Sequence, residues 1–248
     1  MKLFTGTIAY LPRAEPRLLV VTRRSTQTTD QFRTLGRVMT YHAQTSACST
    51  PELCAAVHAS MLGDEIVEYH NGGLIHNWGC LLRRGFYEEN AEWVMFVSND
   101  VYWHDGAVHA IESLLRPENE MTYYLGWPTA VFLMSRNLWD LLQPNWFDDY
   151  PPAGLDDIEL ACQVLAAGGV MKDHGLDSLF DHPVLSNTGT MLQLDRRGER
   201  PSNAPGCAEI FRRRWVPPMR FEPNSESVVW PPTPEQIAEI RKNPKREP

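Results

Sequence analysis

The chain has 248 residues, 43% of them hydrophobic, enough for one substantial core plus a tail. Its formal net charge of −8 argues against wide, unassisted binding to nucleic acid or an anionic membrane. Neutralising phosphates needs clustered Lys and Arg, and the densest basic spots are short, such as Arg212-Arg213-Arg214 and the pair Arg23-Arg24. The five cysteines (Cys48, Cys54, Cys80, Cys162, Cys207) form no C-x-x-C pair and read as reduced thiols of a cytosolic protein. No apolar stretch approaches the roughly 20 residues of a membrane span, and the N-terminus lacks a signal-peptide core, so a cytoplasmic chain is expected.

In chain order, Met1 to Tyr10 is expected as an edge strand, and Arg17-Leu18-Leu19-Val20-Val21-Thr22 reads as a first core strand. A helix follows from about Thr29 to His42, with Phe32, Leu35, Val38 and Met39 on one face and Thr28, Thr29 or Asp30 as its cap. Pro51 opens a second helix through Leu62, and Glu65 to Tyr69 is a short strand. Asn71-Gly72-Gly73 is a turn, and Leu74 to Phe86 is helical. Trp93 to Asp100 is the central strand: an apolar run ending in Ser98-Asn99-Asp100. Asp105-Gly106 starts a helix through Leu115, Tyr123 to Trp127 and Ala130 to Ser135 are strands parted by Pro128, and Arg136 to Leu142 is a helical turn or two. Leu155 to Ala167 is a helix stopped by Gly168-Gly169, and Val170-Met171 is a short strand. Regular pattern fades beyond Pro201 until Thr233-Pro234-Glu235 opens a last short helix. Strands alternating with helices predict an α/β fold with a largely parallel sheet, and there is no internal repeat.

Chemistry concentrates at four places. Asp100 ends the central strand, where an open α/β sheet holds its ligands, and a hard divalent cation needs such oxygens and little else. Ser98 and Asn99 beside it suit water or a ribose hydroxyl. Asp156, Asp157 and Glu159 open a helix, with Asp156 and Glu159 on one face and Asp157 about 100° away. A carboxylate there, beside a substrate hydroxyl, can act as general base, although acids in a first turn also simply favour the helix dipole. His182, in Asp181-His182-Pro183, follows both acidic sites and can close a metal site with Asp100. Asn71-Gly72-Gly73 and Asn77-Trp78-Gly79 allow close backbone approach and supply amides for backbone or ligand.

In this order, these residues resemble the GT-A glycosyltransferases, especially the large inverting family that uses nucleotide-diphospho-sugars. That family shows two Asn-x-Gly elements before its central strand, as at Asn71 and Asn77, and a D-x-D strand end followed by a Gly- or Pro-started helix, as at Ser98-Asn99-Asp100 and Asp105-Gly106-Ala107. It continues with a Gly-containing strand pair ending in Arg (Gly126 to Arg136), a Phe-Asp pair (Phe147-Asp148), an E-D-x-D-L element (Asp156 to Leu160), a helix ending in Ala-Gly (Ala167-Gly168), a late His (His182) and an aromatic-x-x-x-Trp element (Phe211 to Trp215). Here Ser98 stands where the family has its first Asp, Asp156 and Glu159 exchange the usual acids, and the N-terminal third has no clear nucleotide-binding Asp.

The resemblance implies a GT-A, Rossmann-like domain over residues 1–215 and a Pro-rich C-terminal extension over 216–248. It implies a nucleotide-diphospho-sugar donor met by Thr22, Arg23, Asn71, Gly73, Asn77, Ser98 and Asn99, with Arg24 in the same loop. Mn2+ or Mg2+ would sit on Asp100 and His182, Asp157 or Asp156 would be the base, and Trp127 and Glu159 would face a saccharide or small-molecule acceptor. Two rivals stay open. One is a DNA glycosyltransferase acting on hydroxymethylated pyrimidines of a viral genome in the host cytoplasm, using Arg83-Arg84, Arg196-Arg197 and Arg212 to Arg214 with Trp78, Trp103 and Trp215. The other is a degenerate, non-catalytic nucleotide-sugar or glycan-binding module, for which Ser98 is the main argument.

Overall fold

The computed structural model describes residues 2–10, 16–35, 38–44, 65–67, 74–126, 130–142, 155–182, 206–224 and 227–242. It is a mixed α/β fold around one seven-stranded sheet. In chain order the sheet takes β1 (Leu3–Tyr10), β2 (Val38–Gln44), β3 (Glu65–Val67), β4 (Trp93–Ser98), β6 (Thr122–Gly126), β7 (Val131–Ser135) and β8 (Val170–Lys172). Its spatial order is β3-β2-β1-β4-β7-β6-β8, and only β7 runs against the rest. A two-stranded ribbon joins β5 (Tyr102–Trp103) to β9 (Phe180–Asp181).

The strands β4, β6 and β7 are buried on both faces, which is why they read as near-continuous apolar runs. Phe4, Val94, Phe96, Phe132 and Met134 point to one face, packed by α2 (Leu74–Arg83) and α5 (Asp156–Ala166) through Trp78, Leu81, Leu160 and Val164. Their alternate neighbours Leu3, Trp93, Met95, Val97, Val131 and Leu133 point to the other, packed by α3 (Ala107–Leu114) and by Phe32, which follows α1 (Pro16–Asp30). Phe132 meets Trp78, Phe96 and Tyr123 with ring centroids 5.3, 5.0 and 5.8 Å away, pairs that each add about 0.5–1.5 kcal/mol beyond burial. At Gly85 an added Cβ would lie 2.6 Å from Val94 and 2.7 Å from Phe4, so only glycine lets the turn after α2 come this close to the sheet. The short α4 (Arg136–Trp139) closes β7, with the Ser135 hydroxyl accepting from Leu138 N–H at 3.1 Å.

Several expectations hold as positions of elements. The central strand, the two strands around Pro128 and the helix over 155–167 are present, the last ending at Gly168 with φ +82°. The final helix, α7 (Pro234–Lys242), opens with a reciprocal cap: Thr233 N–H donates to Gln236 Oε1 at 2.8 Å, and Gln236 N–H to Thr233 Oγ1 at 3.3 Å.

Four expectations are corrected. The segment Arg17 to Thr22 is not a strand but the start of α1, because a short apolar run fits either state and the described buried residues of this helix, Val21 apart, carry hydroxyls. The expected helix over Thr29 to His42 is a 3-10 turn at Gln31–Leu35 followed by β2, whose seven residues pair in parallel with β1. The N-terminal strand is interior, between β2 and β4, not an edge. Finally, the stretch after Pro201 carries a regular helix, α6 (Cys207–Trp215). It packs with α5 and with Met219, Val228 and Ile240 of the C-terminal stretch. The expected helix over Pro51 to Leu62 lies outside the described residues.

Candidate functional site

After β1 the chain builds β2 and β3 on one side, then returns to place β4 on the other, so the order reverses between β1 and β4. Ligands of open α/β sheets bind outside the carboxyl ends of the strands at such a switch point. The Ser98-Asn99-Asp100 turn stands there, at the end of β4.

A stripe of hydroxyls on α1 holds this turn. Thr22, Ser25, Thr26 and Thr29 recur at helical spacing and are all buried. Asn99 Nδ2 donates to Thr22 Oγ1 at 2.8 Å. Ser25 Oγ donates to Ser98 O at 3.2 Å and accepts from Val101 N–H at 3.2 Å. Trp103 donates its backbone N–H to Thr28 Oγ1 at 3.3 Å and its indole N–H to Thr29 Oγ1 at 3.1 Å.

The ribbon of β5 and β9 brings the late histidine back. Tyr102 pairs with Asp181 and Trp103 with Phe180, so extending the antiparallel register by one residue sets Val101 opposite His182, next to Asp100. His182 Nε2 lies 3.0 Å from Asp100 Oδ1, with side-chain exposures of 6% and 4%. His182 Nδ1 is buried without a hydrogen-bond partner among the described residues. At the rim, Ser98 is half-buried, and the exposed Arg24 lays its guanidinium 4.4 Å from the centroid of the Tyr102 ring. Burial raises the Tyr102 phenol above its ordinary value, Arg24 opposes that shift and Asp100 adds to it. His104 Nε2 meets Asp181 Oδ1 at 3.1 Å and its Nδ1 lies 3.2 Å from Ser178 O; the Asp181 bond, then the Ser178 carbonyl, raise its pKa.

The acidic helix α5 feeds β8 directly through Gly168-Gly169, and β8 runs parallel to β6. The helix therefore runs back against the strands, and its first turn lies toward the edge where β4 and β6 end. Leu155, its N-cap, has φ 57° and ψ 10°, a left-handed conformation that costs a bulky residue of order 1–3 kcal/mol and is found at sites whose surroundings impose it. Asp157 is half-buried, and its Oδ1 accepts from Ile158 N–H at 2.8 Å. Asp156 is the first residue of the helix.

Glu159 departs from the expectation that it meets an acceptor. It is completely buried, Arg214 Nη1 and Gln163 Nε2 reach its Oε1 at 3.1 and 3.0 Å, and Trp215 Nε1 donates to its Oε2 at 2.7 Å. Burial pushes its carboxyl pKa up, against the pull of Arg214 and of the bonds from Gln163 and Trp215. Thr22 and Asn99, expected on the donor, are likewise buried and satisfy one another, whereas Arg23 is exposed. Asn77 lies on α2, and Asn71, Gly73 and Trp127 lie outside the described residues.

Asp100 and His182 offer a carboxylate and an imidazole at one point, a donor pair that fits a cation keeping water and phosphate oxygens as its other ligands. The orphaned Nδ1 fits the same reading, since a ring nitrogen buried without a partner has coordinating capacity in hand. Among the described residues no group of three or more His, Cys, Asp or Glu side chains is placed to hold a metal, and no helix is long and apolar enough to cross a membrane.

Sequence reasoning did not single out Ser25 or the His104–Asp181 and Glu159–Arg214 pairs, and took Thr28 and Thr29 only as helix caps. Ser25 and Thr29 had a legible signal, since with Thr26 they place hydroxyls at i+3, i+7 and i+4 from Thr22, whereas Thr28 falls outside that series.

No family model and no curated protein matches the chain. Solved structures similar to it include a glycosyltransferase involved in glycosylation of the major capsid of PBCV-1, at 13% identity and TM-score 0.42, covering 72% of this chain and 91% of that one. Another is a mannosyltransferase from Pyrobaculum calidifontis in complex with GDP-Man and Mn2+, at 12% identity and TM-score 0.42, covering 81% and 66%. A third is TarS of S. aureus, at 10% identity and TM-score 0.44, covering 73% and 36%.

Proposed function

We propose that the protein is a metal-dependent glycosyltransferase that moves a sugar from a nucleotide-diphospho-sugar to an acceptor hydroxyl, with the inversion of the anomeric centre that the motif order implies. The observation that carries this reading is the buried Asp100–His182 pair at the switch point of the sheet. These two residues would hold Mn2+ or Mg2+, which when bound supplies Lewis acidity and neutralises charge on the leaving diphosphate. Ser98, Arg23 and Arg24, with Asn71, Gly73 and Asn77, would contact the donor. Asp157 takes the acceptor's proton, and Trp127 is assigned to the acceptor. Leu155 supports that role for Asp157, because a residue held in a costly conformation fixes the first turn of α5.

The acceptor is a saccharide or small molecule rather than DNA. Arg214 belongs to the buried Glu159 pair, so the arginine run contributes only Arg212 and Arg213 to the surface. A labelled duplex should therefore show no binding at about 50 mM salt, where phosphate contacts are strongest.

A thermal-shift screen of nucleotide-sugars with and without Mn2+ tests the core of the proposal, since a ligand of the native state raises its stability with the logarithm of concentration over Kd. Asp100→Asn should abolish the Mn2+-dependent shift; an unchanged shift in that variant overturns the metal role. Asp157→Asn should lower turnover by about 10²–10⁴-fold with donor affinity kept, as expected of a group that acts in the transition state.

A further inference from the structure

We infer that Ser25 is a positioning residue: its hydroxyl is the clip that closes the turn carrying Asp100. Ser98 and Val101 are the two ends of that turn, and the Ser25 hydroxyl touches both, donating to Ser98 O at 3.2 Å and accepting from Val101 N–H at 3.2 Å. No other described hydroxyl does this. Thr22 holds the Asn99 side chain and Thr29 the Trp103 indole, each one group at one point. Thr28 holds the backbone past the turn, at Trp103 N–H, with a longer contact of 3.5 Å to Val101 O.

Ser25 is 1% exposed, so water does not stand in for it. Removing its hydroxyl leaves Ser98 O and Val101 N–H facing a methyl group, and a buried polar group without its partner is costly enough to move the backbone that bears it. Asp100 sits between those two ends and must keep one carboxylate oxygen on His182 while presenting the other. Its place is therefore set from α1, an element to which no metal ligand is assigned. The inference rests on the role proposed above for Asp100, and its consequence is that the affinity of the metal–diphosphate site is governed from the helix behind it.

The test compares wild type, Ser25→Ala, Ser25→Thr and Thr22→Val by two readouts: Mn2+-dependent binding of UDP and of GDP by calorimetry, and hydrogen exchange at the Val101 amide. Ser25→Ala should weaken binding by about 10–100-fold, the usual effect of removing a partner that orients a ligating group. It should also speed exchange at Val101. Ser25→Thr restores the hydroxyl and should restore both, and Thr22→Val should leave Val101 protected. Should Ser25→Ala not fold, Ser25→Cys, which keeps the shape and weakens both bonds, should show the same losses in smaller measure.

Wild-type binding with a protected Val101 in Ser25→Ala overturns the inference, as does an equal loss in Thr22→Val. If the wild-type protein binds neither nucleotide with Mn2+, the proposed function fails, while exchange at Val101 still decides whether Ser25 closes the turn.

Discussion

Two buried carboxylates of this protein, Asp100 and Glu159, look alike in sequence: each stands in an acidic or polar element next to an apolar run, and each has a cationic or ionisable partner far along the chain. Their surroundings differ. Glu159 is saturated, with Arg214 and Gln163 on one oxygen and Trp215 on the other, and no surface left. Asp100 has one bond from a histidine whose other nitrogen is orphaned, at the open end of a strand, beside a half-buried serine and an exposed arginine stacked on a tyrosine. The first carboxylate is wired into the fold, tying α5 to α6. The second has a single hydrogen bond among the described residues, at the end of β4. A buried acid is thus a candidate for chemistry when its donors are too few, not merely because it is buried and acidic.

The sharpest way to break this contrast is Arg214→Met. It strands the Glu159 charge in the core, and losing one partner of a buried ion pair costs about 3–5 kcal/mol. The folded-state pKa of Glu159 is already raised by burial, and the variant removes the opposing guanidinium. The stability tied to a raised carboxyl pKa is present below the unfolded value and is lost as pH rises through the folded one. The variant should accordingly be weaker at about pH 8 than at about pH 5 relative to wild type, read from urea midpoints. Adding Glu159→Leu should recover most of the loss. A single variant as stable as wild type would show that Glu159 is not structurally wired.

The contrast also explains what the sequence could reveal. The strands β4, β6 and β7 were legible because both their faces are buried, leaving long apolar runs, and α5 and α7 because Gly168 and Thr233 mark their ends. The meeting of Asp100 with His182 was legible as a motif order. The N-terminal third was not. The run Leu18 to Val21 is too short to separate strand from helix by apolar period, and the informative period was in the hydroxyls of Thr22, Ser25, Thr26 and Thr29, three of which meet polar groups of the Asn99-to-Trp103 stretch after β4. Phe32, Leu35, Val38 and Met39 fall at helical spacing by coincidence, across a 3-10 turn and a strand. Helix α6 was hidden because Arg214, a charged residue, lies on its buried face, and its partner is 55 residues away, beyond any local pattern.

For the open carboxylate the expected outcome is the reverse of that for Arg214→Met. Asp100→Asn keeps an acceptor for His182 Nε2, so stability should change by less than about 1 kcal/mol while Mn2+-dependent binding disappears. A loss of stability comparable to that of Arg214→Met would move Asp100 into the wired class. Ser98→Ala is milder again. The bond to Ser25 uses the Ser98 carbonyl, which the variant keeps, so donor affinity measured by calorimetry should fall by less than about tenfold.

The smallest effect is expected from the ribbon that carries His182. His104 and Asp181 flank it, with side chains 44% and 77% exposed, so solvent screens the pair and its contribution is slight. The direction is fixed all the same. His104 has its pKa raised by Asp181 and by the Ser178 carbonyl, so the stability it lends is complete below about pH 6.5, its unfolded value, and is lost as pH rises through the higher folded value. Asp181→Asn removes the larger cause of the shift and should flatten the fall in stability as pH rises above about 6.5. Urea midpoints for both proteins across that range provide the check. A variant whose profile keeps the wild-type slope would show that the ribbon is held by its backbone pairing alone, and that His182 reaches Asp100 without help from the charges beside it.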